Sequence, residues 1–218
     1  MFIDKYYNEE NQKVSFSRQQ ASDFAKKISN DFNPIHNIDA KRFCVPGDLL
    51  FAVALSKTGL CQKMTFNFSG MVTDTVLLNV PETAGSHNSI VDDNEKEYLN
   101  FNVSGDHTRC EALIESLIRS YVEFSGDTYP TILCALMKKN NVMINPARPM
   151  IMYESMDIDL DTVDVKSVSL KLNEEETVLT YEGKRGQAKL KFDLLSDGQK
   201  VGHGTKYMVL SGLREYEQ

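Results

Sequence analysis

Apolar residues follow a helical period early in the chain and alternate strictly near its end, and that change of period sets the order of elements. Ala21, Phe24, Ala25 and Ile28 fall at i, i+3, i+4 and i+7, one face of a helix. Ser17, followed three residues later by Gln20, is the capping-box pattern that satisfies free N–H groups at a helix start. Pro34 stops that helix from continuing. A second helix is predicted from Pro46-Gly47-Asp48. Its run Leu49 to Leu55 is apolar on every face, as in a helix enclosed by other structure, and Gly59 supplies the stop.

Strand patterns follow. Met64, Phe66 and Phe68 alternate with polar residues, Val76 to Val80 is a short apolar run, and Leu99, Phe101 and Val103 alternate with Asn100 and Asn102. Residues 81–97 read as an exposed connection. Thr108 and Glu111 then form another capping-box pattern, ahead of a helix carrying Leu113, Ile114, Leu117, Ile118, Tyr121 and Val122. Ser125-Gly126-Asp127 is read as its end, and Pro130 as the start of a short helix through Met137. After Pro146 and Pro149 the chain is strand-like. Ala188, Leu190, Phe192 and Leu194 alternate with Lys189, Lys191 and Asp193, and Asp197-Gly198 predicts a tight hairpin into Val201–Leu210. The order is helix, enclosed helix, strands, then helix and long antiparallel sheet. It is an α+β pattern, with no β-α-β repeat that would build a parallel sheet.

Composition narrows the function classes. The 218 residues are 41% hydrophobic and 25% charged, and the net charge is −7 with acidic residues spread throughout. Nucleic-acid binding needs a concentrated basic face, so no nucleic-acid partner is expected. No apolar run reaches the length of a membrane span, and the first residues lack an export signal, which gives the expectation of a cytoplasmic protein without a membrane. Cys44, Cys61, Cys110 and Cys134 form no C-x-x-C pair and are expected as reduced thiols in packed positions.

Two segments carry candidate chemistry. Ser29-Asn30-Asp31-Phe32-Asn33-Pro34-Ile35-His36 resembles the S-G-D-x-N-P-[LI]-H signature of MaoC-like (R)-specific enoyl-CoA hydratases. About ten residues on, Val45-Pro46-Gly47-Asp48-Leu49-Leu50 resembles the H-G-M-L-L that opens the enclosed helix of that family. The likeness covers roughly residues 15–60, and the chain as a whole is also similar to a bacterial hotdog family of unknown function. The resemblance implies a hotdog fold, an antiparallel sheet wrapped around a central helix, here as a double hotdog with units at 1–105 and 106–218. Ser125-Gly126-Asp127 through Ile132 echoes the signature as a degenerate second copy or a coincidental loop sequence.

Hydration of a 2-enoyl thioester needs a base for water, an acid for the α-carbon and donors for the enolate oxygen. By resemblance, Asp31 and His36 hold the water between them, Asn33 and Pro34 shape the turn, and backbone N–H groups near Gly47 bind the carbonyl. The substrate would be an acyl-CoA or acyl-carrier-protein thioester, with no cofactor and no metal. The two units would pair within one chain as a monomer, or within a homodimer. Two positions depart from the family pattern. Asn30 replaces glycine, and Asn is the next-best residue for a left-handed turn. Asp48 replaces a bulky apolar residue and is expected to cap the helix with its charge turned away, because a carboxylate opposes a developing oxyanion.

Other readings stay open. Taken alone, Asp31 to Pro34 is a helix-ending turn whose polar side chains bond the local backbone. The site could also bind an acyl thioester without turnover, or belong to a thioesterase. His36, Asp39 and Cys44 lack a recognised metal-ligand spacing. His87 and His107 read as surface residues, His203 as a sheet-face residue, and Gly183-Lys184-Arg185-Gly186 as a turn.

Overall fold

The alternation of the last strands and the all-apolar second helix meet in one sheet-and-helix arrangement. The computed structural model describes residues 1–145 and 150–217, so Pro146 and Pro149 lie outside the described residues. A small hairpin, β1 (Asn8–Glu10) and β2 (Lys13–Ser15), leads into α1 (Arg18–Lys27) and then α2 (Gly47–Thr58). Next come β3 (Leu60–Phe68), β4 (Leu78–Asn79), β5 (His87–Val91) and β6 (Glu97–Thr108). The second half opens with α3 (Glu111–Asp127), passes through a π-helical turn at Thr128–Leu133 into α4 (Cys134–Lys139), and reaches β7 (Val142–Ile144). The chain then forms β8 (Met150–Leu160), β9 (Ser169–Leu172), β10 (Val178–Glu182), β11 (Arg185–Ser196), β12 (Gln199–Ser211) and β13 (Leu213–Glu215).

Eleven strands form one antiparallel sheet in the order β1-β2-β4-β5-β6-β3-β8-β12-β11-β10, with β9 also on β11, while β13 and β7 form a separate pair. The halves join where β3 pairs with β8, Phe66 opposite Met156. α2 is enclosed: Leu49 through Leu55 are all buried. Each such large apolar side chain contributes roughly 1.5–3 kcal/mol by leaving water. Phe51 of α2 meets Phe66 of β3 at 5.1 Å and Tyr121 of α3 at 4.8 Å, so both helices share one core. This is a hotdog-like α+β architecture, a sheet wrapped around buried helices.

Several local readings hold. The Ser17–Gln20 capping box forms, Gly59 ends α2 with φ +86°, and Asp197 and Gly198 both take positive φ in the β11–β12 hairpin. Others are corrected. Residues 81–97 contain β5, with Asn88 and Ile90 buried. Of the apolar run 76–80 only Leu78–Asn79 is strand. Thr108 is the last residue of β6, and its hydroxyl accepts the Cys110 N–H, so the second capping box does not form. α3 does end at Ser125-Gly126-Asp127, but these residues form its last turn, and the chain stays helical through Thr128–Leu133. Gly126 is there for space: a Cβ would lie 1.4 Å from the Ser29 carbonyl oxygen. Pro130, which has no N–H to give, sits inside the wider π turn and does not begin a new helix. Cys44 and Cys61 are packed, but Cys110 and Cys134 are exposed. No helix of the described residues is long and apolar enough to cross a membrane.

Candidate functional site

The loop between α1 and α2 is fixed at both ends. After α1, Asn30 takes φ +54°, which lets the Asp31 N–H turn back to the Ala25 carbonyl at 2.8 Å. Asn is one of the few residues that adopts this conformation at low cost. Asp31 Oδ1 accepts the Asn33 N–H at 2.8 Å, and Asn33 Oδ1 accepts the Ile35 N–H at 3.3 Å. Asn33 thereby caps a single 3₁₀ turn, Pro34–His36, with Pro34 at its first position. Further along, Arg18 holds the loop by donating to the Ile38 and Ala40 carbonyls and to Asp74.

These turns bring Asp31 Oδ2 to 3.4 Å from His36 Nε2. The other ring nitrogen, Nδ1, lies 2.7 Å from the Cys44 carbonyl oxygen. A carbonyl can only accept, so Nδ1 carries the proton and the ring orientation is set. The His36 side chain is 8% exposed and that of Asp31 34%, so the pair meets solvent through Asp31. Burial raises the Asp31 carboxyl, but a protonated His36 ring, which then donates to it, the Asn33 N–H and the charge of Lys206 hold it below its ordinary value. Beside it, burial pushes the Cys44 thiol up to about 11, an inert packed sulfur.

The other predicted positions lie at the start of α2. Gly47 faces a stacked aromatic pair, Phe68 and Tyr153, with ring centres 4.1 Å apart, and a Cβ on Gly47 would sit 3.3 Å from both rings. Asp48 does not turn its charge away. It is 7% exposed, in the first turn of α2, and its Oδ1 has no hydrogen-bond partner. The carboxylate points inward because α2 is enclosed, and an N-terminal helix turn favours negative charge. Burial pushes the carboxyl up, opposed by Lys206 and by a hydrogen bond from Ser125.

Lys206 is the partner that sequence reasoning missed. On β12 it lies opposite Met156, in line with the inward-facing Met208 and Leu210, and is 2% exposed. Its Nζ donates to Ser125 Oγ of α3 and lies 4.3 Å from the centre of the Tyr153 ring. Burial lowers its pKa, opposed by the charges of Asp48 and Asp31. Tyr153 reaches this place through a bulge. Lys206 and Tyr207 pair with Met156 and Ser155, but Met208 pairs with Tyr153, so Glu154 is skipped and Tyr153 takes the inward position. Its hydroxyl bonds that of Tyr121 from α3, and burial pushes both phenols well above their ordinary value. The signal for Lys206 was in the sequence, a lysine on the apolar register of an alternating strand. Ser125 lay in the segment that echoes the signature, but without this role, and nothing local marked Tyr153.

The model of the family described as protein of unknown function (DUF3581) matches residues 1–218. The chain belongs to that family. No curated protein matches the sequence. Among solved structures, this DUF3581 chain is similar to an acyl-CoA thioesterase II, TesB2, from Mycobacterium marinum, at 8% identity and TM-score 0.47, covering 100% of both chains. It is also similar to a MaoC-like dehydratase at 7% identity and TM-score 0.44, covering 93% of this chain and 97% of that one. A third is the tesB protein of Mycobacterium avium subs paratuberculosis, at 10% identity and TM-score 0.41, with 78% and 89% covered. Among the described residues of the DUF3581 chain, no group of three or more His, Cys, Asp or Glu side chains is placed to hold a metal ion.

Proposed function

We propose that this chain is a hydro-lyase for 2-enoyl thioesters, with Asp31 and His36 as the water-handling pair. The observation that carries the reading is the fixed ring of His36. With Nδ1 donating to the Cys44 carbonyl, a neutral ring turns its Nε2 lone pair toward Asp31 Oδ2, 3.4 Å away. A lone pair and an ionised carboxylate cannot bond each other, whereas one water donating a hydrogen to each satisfies both. That water is held for attack. Its oxygen bonds to the β-carbon of the enoyl group while the pair takes one proton, electron density moves to the thioester oxygen as an enolate, and a proton returned to the α-carbon completes the 3-hydroxyacyl thioester. The carrier is CoA or acyl-carrier protein. In this reading residues 1–105 supply the water-handling loop, and residues 106–218 close the site from the other side through the β3–β8 junction. The edge-to-edge pairing of two units is then completed inside one chain.

A second reading is an acyl-thioester binding protein without turnover. It is favoured by the Phe68–Tyr153 stack against Gly47 and by the carboxylate of Asp48 in the same helix turn. Loss of enoyl absorbance on mixing with crotonyl-CoA and longer 2-enoyl-CoAs separates the two. The wild type is expected to consume them, and Asp31→Asn and His36→Ala each to slow turnover about 10²–10⁴-fold with little change in unfolding midpoint. A wild type inactive at every chain length, yet carrying an acyl thioester by native mass spectrometry, establishes the second reading. Release of free thiol would identify a thioesterase.

A further inference from the structure

A buried ammonium at the centre of a sheet is a costly way to fill space. Taking it out of water costs several kcal/mol after relaxation, and a methionine would pack the same inward position without that cost. The residues around Lys206 are arranged to hold it nonetheless. Ser125 Oγ accepts one of its three N–H donors, the Tyr153 ring lies under the charge, and the buried carboxylate of Asp48 balances it. Ser125, Tyr153, Asp48 and Lys206 come from α3, β8, α2 and β12, so the cluster is assembled only when the two halves of the chain close on each other.

We infer that Lys206 receives the carbonyl oxygen of the bound thioester, with Asp48 as its buried counter-charge and Ser125 as its positioning partner. The inference rests on the acyl-thioester reading above and adds the group that polarises the substrate. Three observations carry it. Lys206 keeps N–H donors beyond the one given to Ser125, and Asp48 Oδ1 takes no hydrogen bond, so the counter-charge does not consume them. Tyr153 touches both places: its ring is 4.3 Å from Lys206 Nζ and packs against Gly47, so one aromatic ring links the ammonium to the start of α2. Of the first-turn N–H groups, those of Leu49 and Leu50 go to the Pro46 carbonyl, while those of Gly47 and Asp48 have no acceptor in the helix, and the Phe68 and Tyr153 rings lie against Gly47. A cation adds to the helix start what a developing enolate needs in a low-dielectric interior. Asp48, which would oppose an oxyanion if it acted alone, here offsets part of the burial cost of the ammonium.

The test reads polarisation apart from turnover. In an Asp31→Asn protein, 2,4-hexadienoyl-CoA is titrated while its absorption and its Kd are followed. The bound dienoyl band is expected to move to longer wavelength. Lys206→Met should abolish that movement while Kd changes less than about tenfold, and Ser125→Ala should diminish it. With Asp31 intact, Lys206→Met should lower kcat about 10²–10³-fold. Binding with no red shift, or a shift that persists in Lys206→Met, overturns the role of Lys206 and leaves the thioester reading standing. No binding of this or any other enoyl-CoA overturns that reading and the inference with it. If Lys206→Met does not fold, Ser125→Ala decides: an undiminished shift rejects the proposal.

Discussion

The starts of the two central helices, α2 and α3, are built from the same kind of element and lead to opposite environments. α3 opens at an exposed Cys110 and Glu111, above a surface hollow of about 450 Å³ lined by Glu111, Ala112, Glu115, Ser116 and Arg119. Its charges are met by solvent and by the Arg119–Glu115 pair within the helix, an arrangement that contributes little to stability. α2 opens at Gly47 under two aromatic rings, with Asp48 buried beside it and the Asp31–His36 loop at its edge. Charge at the first site is cheap and carries no chemical information. Charge at the second is expensive, and the fold supplies a lysine from the far half to balance it. The contrast teaches that, among the described residues, the second half lends its buried lysine to the start of α2, while the start of α3 carries only exposed charge.

The sharpest way to break this comparison is to unbalance the buried pair. Removing one member of a buried ion pair costs about 3–5 kcal/mol, because the other charge is left without its partner. Lys206→Met, which leaves the Asp48 carboxyl buried without the nearby cation, is expected to lose stability toward that scale in urea unfolding, and adding Asp48→Asn to it should recover most of the loss. Removing Arg119 or Glu115 at the other helix start should change stability by less than about 0.5 kcal/mol. A double variant no more stable than Lys206→Met alone would show that Lys206 and Asp48 do not sense each other.

How far the sequence carried these conclusions follows from where each signal resides. Period and capping are local, so α1, the enclosed α2, the last hairpin and the left-handed Asn30 were all legible. The Asp31–His36 pair was legible too, since five positions of chain and one proline bring its members together. The cluster behind it was not. Ser125 read as part of a helix-ending loop because serine, glycine and aspartate favour turns, and only tertiary packing shows that Gly126 serves close approach. Tyr153 faces inward only because β8 skips Glu154 against β12, a register shift that alternation alone does not reveal. Asp48 was expected as a cap with its charge turned from the oxyanion site, and the lysine it is buried near stands 158 positions later in the chain, beyond the reach of local reading.

Gly126 offers the next test. It is where the second half's helix touches the loop that carries Asp31, and an added methyl would overlap the Ser29 carbonyl. Overpacking typically costs about 1–3 kcal/mol, and an overlap with backbone belongs at the upper end. Gly126→Ala is expected to lower stability by that amount and to slow turnover further, since Ser29 can retreat only by moving Asp31. The same change at Gly198, where nothing lies within 4 Å but φ is +78°, should affect stability alone. Equal turnover in the two variants would mean that the contact does not position the loop.

The smallest expected effect separates the two carboxylates, the partly exposed Asp31 and the buried Asp48. Asp31 has a folded value below the ordinary 3.8, so it contributes stability above that pH and loses it as pH falls through the folded value. Asp48 is displaced the other way by burial, so its contribution is present below 3.8 and is lost as pH rises through the folded value. The two slopes oppose each other in the wild type. Asp31→Asn removes the first and leaves the second, so a series of urea midpoints should show a variant less stable than wild type at neutral pH. That gap should close as the solution is acidified through the carboxylate range, because the wild-type Asp31 is then protonated and resembles the amide. A gap that stays constant with pH would show that the Asp31 charge gains nothing from its seat between the Asn33 N–H and His36.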